Sequence, residues 1–253
     1  MPRNIFQKYL LNVNMNTIKE DIFGYLSKLS PYVEPIKNVC QKYLKYCSII
    51  DSDLSFDKNM AVIPYFEIIR IGHNPCLHWN NYMITLNKGI NQSWLSKFKE
   101  KTNLTIPKIY ENILLEINGC QLFDLDNKSF ELYGLSPEKY YPDEYITIEN
   151  TLYKLSEFWK SYIGRDLEDA NSEKWLEKYN FSGFYFGGCS YDSEIRNPLD
   201  KIIAYFINNN EIFAVNEEGK ILGNYKSFND FFRIELKIAE EHYFSTINEK
   251  DLY

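Results

Sequence analysis

The stretch LTIPKIYENILLEINGCQLFDLDNKSFELYGL, Leu104 to Leu135, decides how the chain is read. Tyr110, Ile113, Leu114 and Ile117 recur at helical spacing, and Pro107 sits in the first turn, where its missing N–H costs nothing. The helix is predicted to stop at Asn118-Gly119, with Gly119 taking the left-handed conformation that closes a helix without a Cβ penalty. Gln-Leu-Phe and Ser-Phe-Glu-Leu-Tyr then alternate as half-buried strands do, around a polar turn at Asp124–Lys128. The unit reads as helix, glycine cap, hairpin.

Working outward, 253 residues with 45% apolar and 25% charged side chains suit one large or two modest globular domains. The 21 Tyr and 17 Phe, beside many Asn, Lys and Ile, read as the imprint of an AT-rich coding bias rather than of function. Cys40, Cys47, Cys76, Cys120 and Cys189 are odd in number and lack CxxC spacing, so a reducing compartment is expected rather than a disulfide framework. The N-terminus lacks the apolar core of a signal peptide, and no run approaches the roughly 20 apolar residues of a membrane helix. A cytoplasmic protein with no membrane association is expected.

Charge is unevenly placed. Up to Ile90 there are 10 Lys and Arg against 7 Asp and Glu; from Asn91 onward, 18 against 28. A field of that sign repels phosphate backbones, which disfavours nucleic acid and favours a basic protein partner.

Before Ile90, Thr17-Ile-Lys-Glu20 has capping-box spacing ahead of Ile18, Ile22, Leu26 and Leu29, Ser30-Pro31 breaks that helix, and Ile36, Val39, Cys40, Tyr43 and Cys47 mark a second. Short strands are expected within Ala61–Ile71 and Tyr82–Leu86, and the polar run Asn87–Ser93 reads as a linker. Residues 1–90 are therefore taken as an accessory region of helical hairpin and short strands, and 91–253 as a second unit.

In that unit Trp94, Leu95 and Phe98 open with a short helix. Ile146 and Ile148 precede a helix expected through Leu152, Leu155, Phe158 and Trp159, and Asp166–Glu173 reads as an acidic loop. Phe184-Tyr-Phe-Gly-Gly188 is a strand expected to end at its glycines. Ile202–Ile207, Glu211–Val215 and Lys220–Tyr225, separated by Asn-rich and Glu-Glu-Gly turns, form a β-meander. Ser227 then N-caps a helix whose buried stripe is Phe228, Phe231, Phe232, Leu236, Ala239 and Tyr243.

From about Trp94 to Phe244 these elements resemble the SUKH superfamily, which groups a yeast cell-wall regulator with many bacterial immunity proteins. Three places carry the resemblance: Ile106-Pro107 with its helix and Asn118-Gly119, Phe184-Tyr-Phe-Gly-Gly188, and the meander followed by Ser227-Phe228-Asn-Asp-Phe231-Phe232. Ile106 stands where the family has leucine, and residues 1–90 have no counterpart in it. The resemblance implies an α+β fold with a central mixed or antiparallel sheet flanked by helices, no cofactor and no catalytic constellation. It also implies a non-enzymatic immunity protein that binds a cognate toxin, often a nuclease. The alternative of another class is an intracellular scaffold or regulatory module of the same fold.

Chemistry-bearing side chains are few. His73, Cys76 and His78 lie within six residues, with no second ligand pair at zinc-site spacing, and read as a polar loop. Asp124-Leu-Asp126 lacks the glycine and glutamate of a calcium loop. Cys189 and His242 read as a buried thiol and a helix histidine rather than as nucleophile and base. The candidate partner-binding residues are Glu138, Tyr141, Asp143, Glu144, Tyr162, Asp166, Glu168 and Asp169, where carboxylates would steer a basic partner onto tyrosine anchors.

Overall fold

The computed structural model describes residues 15–44, 50–52, 68–72, 82–102, 104–125, 128–135, 145–148, 151–154, 167–190 and 202–246. Within them the chain alternates as the apolar periods dictate. Helices α1 (Met15–Lys28) and α2 (Glu34–Leu44), joined by a 3-10 turn at Pro31–Val33, precede strands β1 (Ile50–Ser52), β2 (Ile68–Gly72) and β3 (Tyr82–Lys88). Next come α3 (Gln92–Lys101), α4 (Lys108–Glu116), β4 (Ile117–Leu125) and β5 (Lys128–Leu132), then the hairpin β6 (Tyr145–Ile148) and β7 (Thr151–Lys154). The one-turn helices α5 (Leu167–Ala170) and α6 (Glu173–Leu176) lead to β8 (Phe184–Ser190), the meander β9 (Ile202–Asn208), β10 (Glu211–Asn216), β11 (Ile221–Tyr225), and α7 (Phe228–Thr246).

Among the described residues nine strands form one sheet in the order β1-β2-β3-β4-β5-β8-β9-β10-β11, antiparallel at every pairing, while β6 and β7 pair only with each other. The class is α+β, with helices flanking the sheet. Its inner face is covered by α7, whose Phe231 meets Tyr205 at a centroid distance of 4.8 Å and Phe130 at 6.0 Å in the middle of the core. Each of these rings removes about 150–250 Å² from water, which makes the cluster the main source of cohesion here.

Glu235 of α7 is fully buried in this layer, accepting hydrogen bonds from the hydroxyls of Tyr205 at 3.0 Å and Tyr225. The helix starts as its sequence indicates, because Ser227 Oγ accepts from Asp230 N at 3.1 Å. Ser227→Ala should lower the stability of the whole protein by about 1 kcal/mol, read as a shift in urea midpoint at unchanged slope.

The opening stretch differs from its reading in an instructive way. Helix α4 ends at Glu116, and Ile117 is already the first residue of β4, so Gly119 lies within a strand rather than at a helix cap. Its φ of +87° is required by a close crossing: a Cβ there would stand 2.8 Å from Leu132 O and 2.9 Å from Gly134 N. Asn118 extends the pairing by side chain, its Oδ1 accepting from Leu135 N at 2.8 Å and its Nδ2 donating to Leu135 O at 3.1 Å. The Asn-Gly pair thus splices β4 to the chain after β5. Tyr110 reinforces the same junction from α4, its hydroxyl donating to the carbonyls of Tyr133 (2.6 Å) and Phe186 (3.1 Å).

Other expectations are corrected by local packing. The linker of 87–93 shrinks to three residues, because Asn87 and Lys88 finish β3 while Gln92 and Ser93 open α3 under an Asn91 cap. That connection is strapped to α4 by Gly89 N to Glu116 O at 3.1 Å and Ile90 N to Leu114 O at 2.9 Å. Where a helix through Leu152 and Leu155 was expected, Leu152 and Tyr153 belong to β7, opposite Thr147 and Ile146. Leu155, Phe158 and Trp159 lie outside the described residues. The acidic loop is helical over α5 and at the start of α6, since Leu167 and Ala170 are spaced to bury on one side. Strand β8 runs through its glycines to Ser190, and a Cβ at Gly187 would lie 2.2 Å from Glu131 O, so the residue admits a neighbouring strand instead of ending its own. Thr17 is inside α1 rather than its cap.

Residues before Ile90 are tied to those after it. β3 pairs with β4, setting Ile84 opposite Leu122 and Leu86 opposite Cys120. Tyr43 of α2 stacks on Phe244 and hydrogen-bonds Glu240, which Lys42 also meets at 2.6 Å. Tyr25 donates to Glu116 O at 3.0 Å, satisfying a carbonyl at the end of α4. The boundary drawn at 90/91 therefore falls inside one continuous sheet.

Cys40, Cys120 and Cys189 are free and buried; Cys47 and Cys76 lie outside the described residues. Burial pushes the Cys40 thiol up to about 12 and raises Cys120 well above its usual range, which leaves both as inert core groups. No helix among the described residues is long and apolar enough to cross a membrane.

Candidate functional site: the outer face of the C-terminal strands

The alternation of β8, β9 and β10 sends half of their side chains away from α7, and the segment between α5 and β8 covers them. Asn171 fixes its start, donating to Leu167 O and Tyr185 O at 2.8 and 2.7 Å while accepting from Tyr185 N at 2.8 Å. Tyr179 and Phe181 then pack on Phe206 with centroids 5.6 and 5.2 Å apart, and Phe181 reaches Phe213 at 5.3 Å. The turn after β10 lies against this cover, since a Cβ on Gly219 would meet Asn180 O at 2.7 Å.

Aromatic burial fixes the floor, and the rim is charged. Asn216, only 1% exposed, accepts from Glu218 N and Lys220 N through its Oδ1, which presents Glu217 and Glu218 outward. Glu173 and Glu177 are exposed on the covering segment, so among the described side chains this face carries four exposed carboxylates against the ammonium groups of Lys178 and Lys220. Beside them Ile202 and Ile221 stay 40% and 50% exposed. Register places Ile221 opposite Val215, which is itself opposite Ala204, so the two isoleucines share the outer face on either side of β10. Apolar anchors inside an acidic rim can seat a protein surface of opposite charge.

Of the residues singled out in the sequence, Glu168 is half-buried on α5, and Asp169 belongs to the same helix. Glu138, Tyr141, Asp143, Glu144, Tyr162 and Asp166 lie outside the described residues. Glu173, Glu177, Glu217, Glu218, Ile202 and Ile221 were missed. The Asn216-Glu-Glu-Gly219 turn was legible and implied two outward glutamates, but nothing in the alternation of β9 and β11 marked their end isoleucines as exposed.

His73, Cys76 and His78 lie outside the described residues, and among the described ones no group of three or more His, Cys, Asp or Glu side chains could hold a metal ion. Cys189 and His242 are 4% and 6% exposed, as expected of core groups. Glu111 is also buried, at 3% exposure: desolvation pushes its carboxyl up, but hydrogen bonds and charge from Lys99 and Lys108 outweigh this and leave it below the usual carboxylate range. It is a structural ion cluster joining α3 to α4. Compared with known proteins, the chain matches no family model, no curated protein and no solved structure.

Proposed function

We propose that the protein neutralises a toxin by binding it directly, as the SUKH resemblance implies, using the acidic outer face of the C-terminal strands. The observation that carries this reading is the pairing of exposed Ile202 and Ile221 with the carboxylates of Glu173, Glu177, Glu217 and Glu218 on one face. A basic toxin would be drawn in by the field and anchored on the isoleucines.

The test is co-expression with a toxin encoded beside its gene, together with association kinetics of the purified pair. Protection of the cells and a salt-sensitive complex are expected. Glu217→Lys with Glu218→Lys should slow association by about tenfold at low salt, whereas the same charge change at Glu34 and Glu100, exposed on α2 and α3, should leave it nearly unchanged. Equal slowing by both pairs would assign the effect to net charge and remove this face. No protection and no complex would favour the scaffold reading, which a housekeeping partner in a cell pull-down would establish.

A further inference from the structure

Strand β11 ends the sheet, and among the described residues no strand pairs with its free edge. The first half of helix α7 meets β11 on the inner side: Phe231 meets Tyr225 at a centroid distance of 5.6 Å, and Glu235 accepts from the Tyr225 hydroxyl. One step further round the same side of the helix stand Ile234, three residues after Phe231, and Ile238, three after Glu235. Ile234 is 39% exposed and Ile238 half-buried. On the outer side of the strand Ile221 is 50% exposed. A hydrogen-bonding edge is thus flanked by apolar side chains above and below, the arrangement by which a sheet edge and its neighbouring helix take up an extended peptide.

We propose that the β11 edge accepts an extended segment of a partner protein as a tenth strand, one with apolar residues between two carboxylates spaced to meet Lys220 and Lys226. These lysines are exposed and bracket the strand at its two ends. They also disfavour the two symmetric pairings with a second copy of this chain. Antiparallel self-pairing about Gly223 would set Lys220 opposite Lys226 at both ends, and in-register parallel pairing would set each lysine beside its own copy; like charges in register destabilise a pairing that opposite charges support. The two lysines are six residues apart along a strand with a bulge where Ile221 opposes Val215, and the carboxylates of the occupant are spaced to match them. The inference shares Ile221 and Lys220 with the acidic face but does not depend on the toxin reading, since its test reads strand pairing along β11 and not toxin binding.

The probe is the blocked peptide Glu-Val-Thr-Val-Thr-Val-Glu, with Lys-Val-Thr-Val-Thr-Val-Lys as its charge-reversed counterpart, titrated into the 253-residue chain by fluorescence anisotropy. The glutamate-ended peptide should bind about tenfold tighter, since opposite-charge pairs replace like-charge pairs at both ends. Amide exchange at Ile221–Tyr225 should slow when it binds. Lys220→Glu with Lys226→Glu, both exposed, should reverse the preference, a result that loss of folding cannot produce. Absence of binding, equal binding of the two peptides, or protection elsewhere than β11 would overturn the proposal. So would a concentration-dependent dimer that the glutamate-ended peptide dissociates, because a second copy would then hold the edge.

Discussion

A fragment comprising residues 91–253 is expected not to fold cooperatively. It would lack β3, and with it the inner-face partners of β4: Ile84 and Leu86, both fully buried, stand opposite Leu122 and Cys120. It would also lack α1, α2 and the 3-10 turn between them, whose Ile22, Leu26, Val33 and Ile36 are fully buried. Deleting them returns the apolar surface they cover to water, and at roughly 1.5–3 kcal/mol for each side chain's worth half a dozen such losses are comparable with the roughly 5–15 kcal/mol that holds a typical domain together. The freed edge of β4 would expose unpaired backbone groups and invite aggregation. Circular dichroism and amide-proton dispersion in NMR would decide. A single sharp melt and well-dispersed resonances from this fragment would show that the first 90 residues are an appendage after all.

The contrast with the sequence reading has a definite physical origin. The meander and α7 were legible because three signals agreed there: alternating strands, two short polar turns, and a Ser227 cap before an aromatic stripe at helical spacing. Sheet membership of β1–β3 was not legible. Hydrophobic alternation reports that a strand has a buried face, but not which strand it joins, and the polar run from Asn87 to Ser93 resembled a linker although Gly89 and Ile90 hydrogen-bond to α4. The hairpin of β6 and β7 was misread for a related reason: Leu152 and Leu155 satisfy helical spacing, and only cross-strand pairing of Thr151 with Ile148 and of Tyr153 with Ile146 resolves the ambiguity. For the candidate site, the acidity of the C-terminal part was legible as a count. Its concentration around Ile202 and Ile221 required the contact between Gly219 and Asn180, which joins residues far apart in the chain.

The Asn118-Gly119 pair yields the second large effect. Asn118 is 2% exposed, and its side chain both donates to and accepts from the backbone of Leu135. Asn118→Asp keeps the shape but replaces the Nδ2 donor by an oxygen facing the Leu135 carbonyl, inside a site that water cannot reach. A buried carboxylate without its hydrogen-bond donor should cost roughly 3 kcal/mol or more at pH 7. Gly119→Ala, forced into positive φ and against Leu132 O, should cost about 1–3 kcal/mol from backbone strain alone. The two losses differ in their pH dependence. Burial beside a carbonyl favours the protonated acid, so the carboxyl of the aspartate variant titrates higher folded than unfolded. Its folded state then binds more protons, and the variant's deficit against the wild type is full above the folded pKa, shrinks as pH falls through it, and is smallest below the unfolded value near about 4. A protonated carboxyl can donate to Leu135 O again, which restores the pairing. The alanine variant has no such group, and its deficit should stay constant with pH. Urea unfolding of both variants and the wild type at several pH values between neutrality and mild acid tests this directly. A pH-independent deficit for Asn118→Asp would mean that the side chain does not carry the splice between β4 and Leu135, and that Gly119 alone explains why the sequence turns where it does.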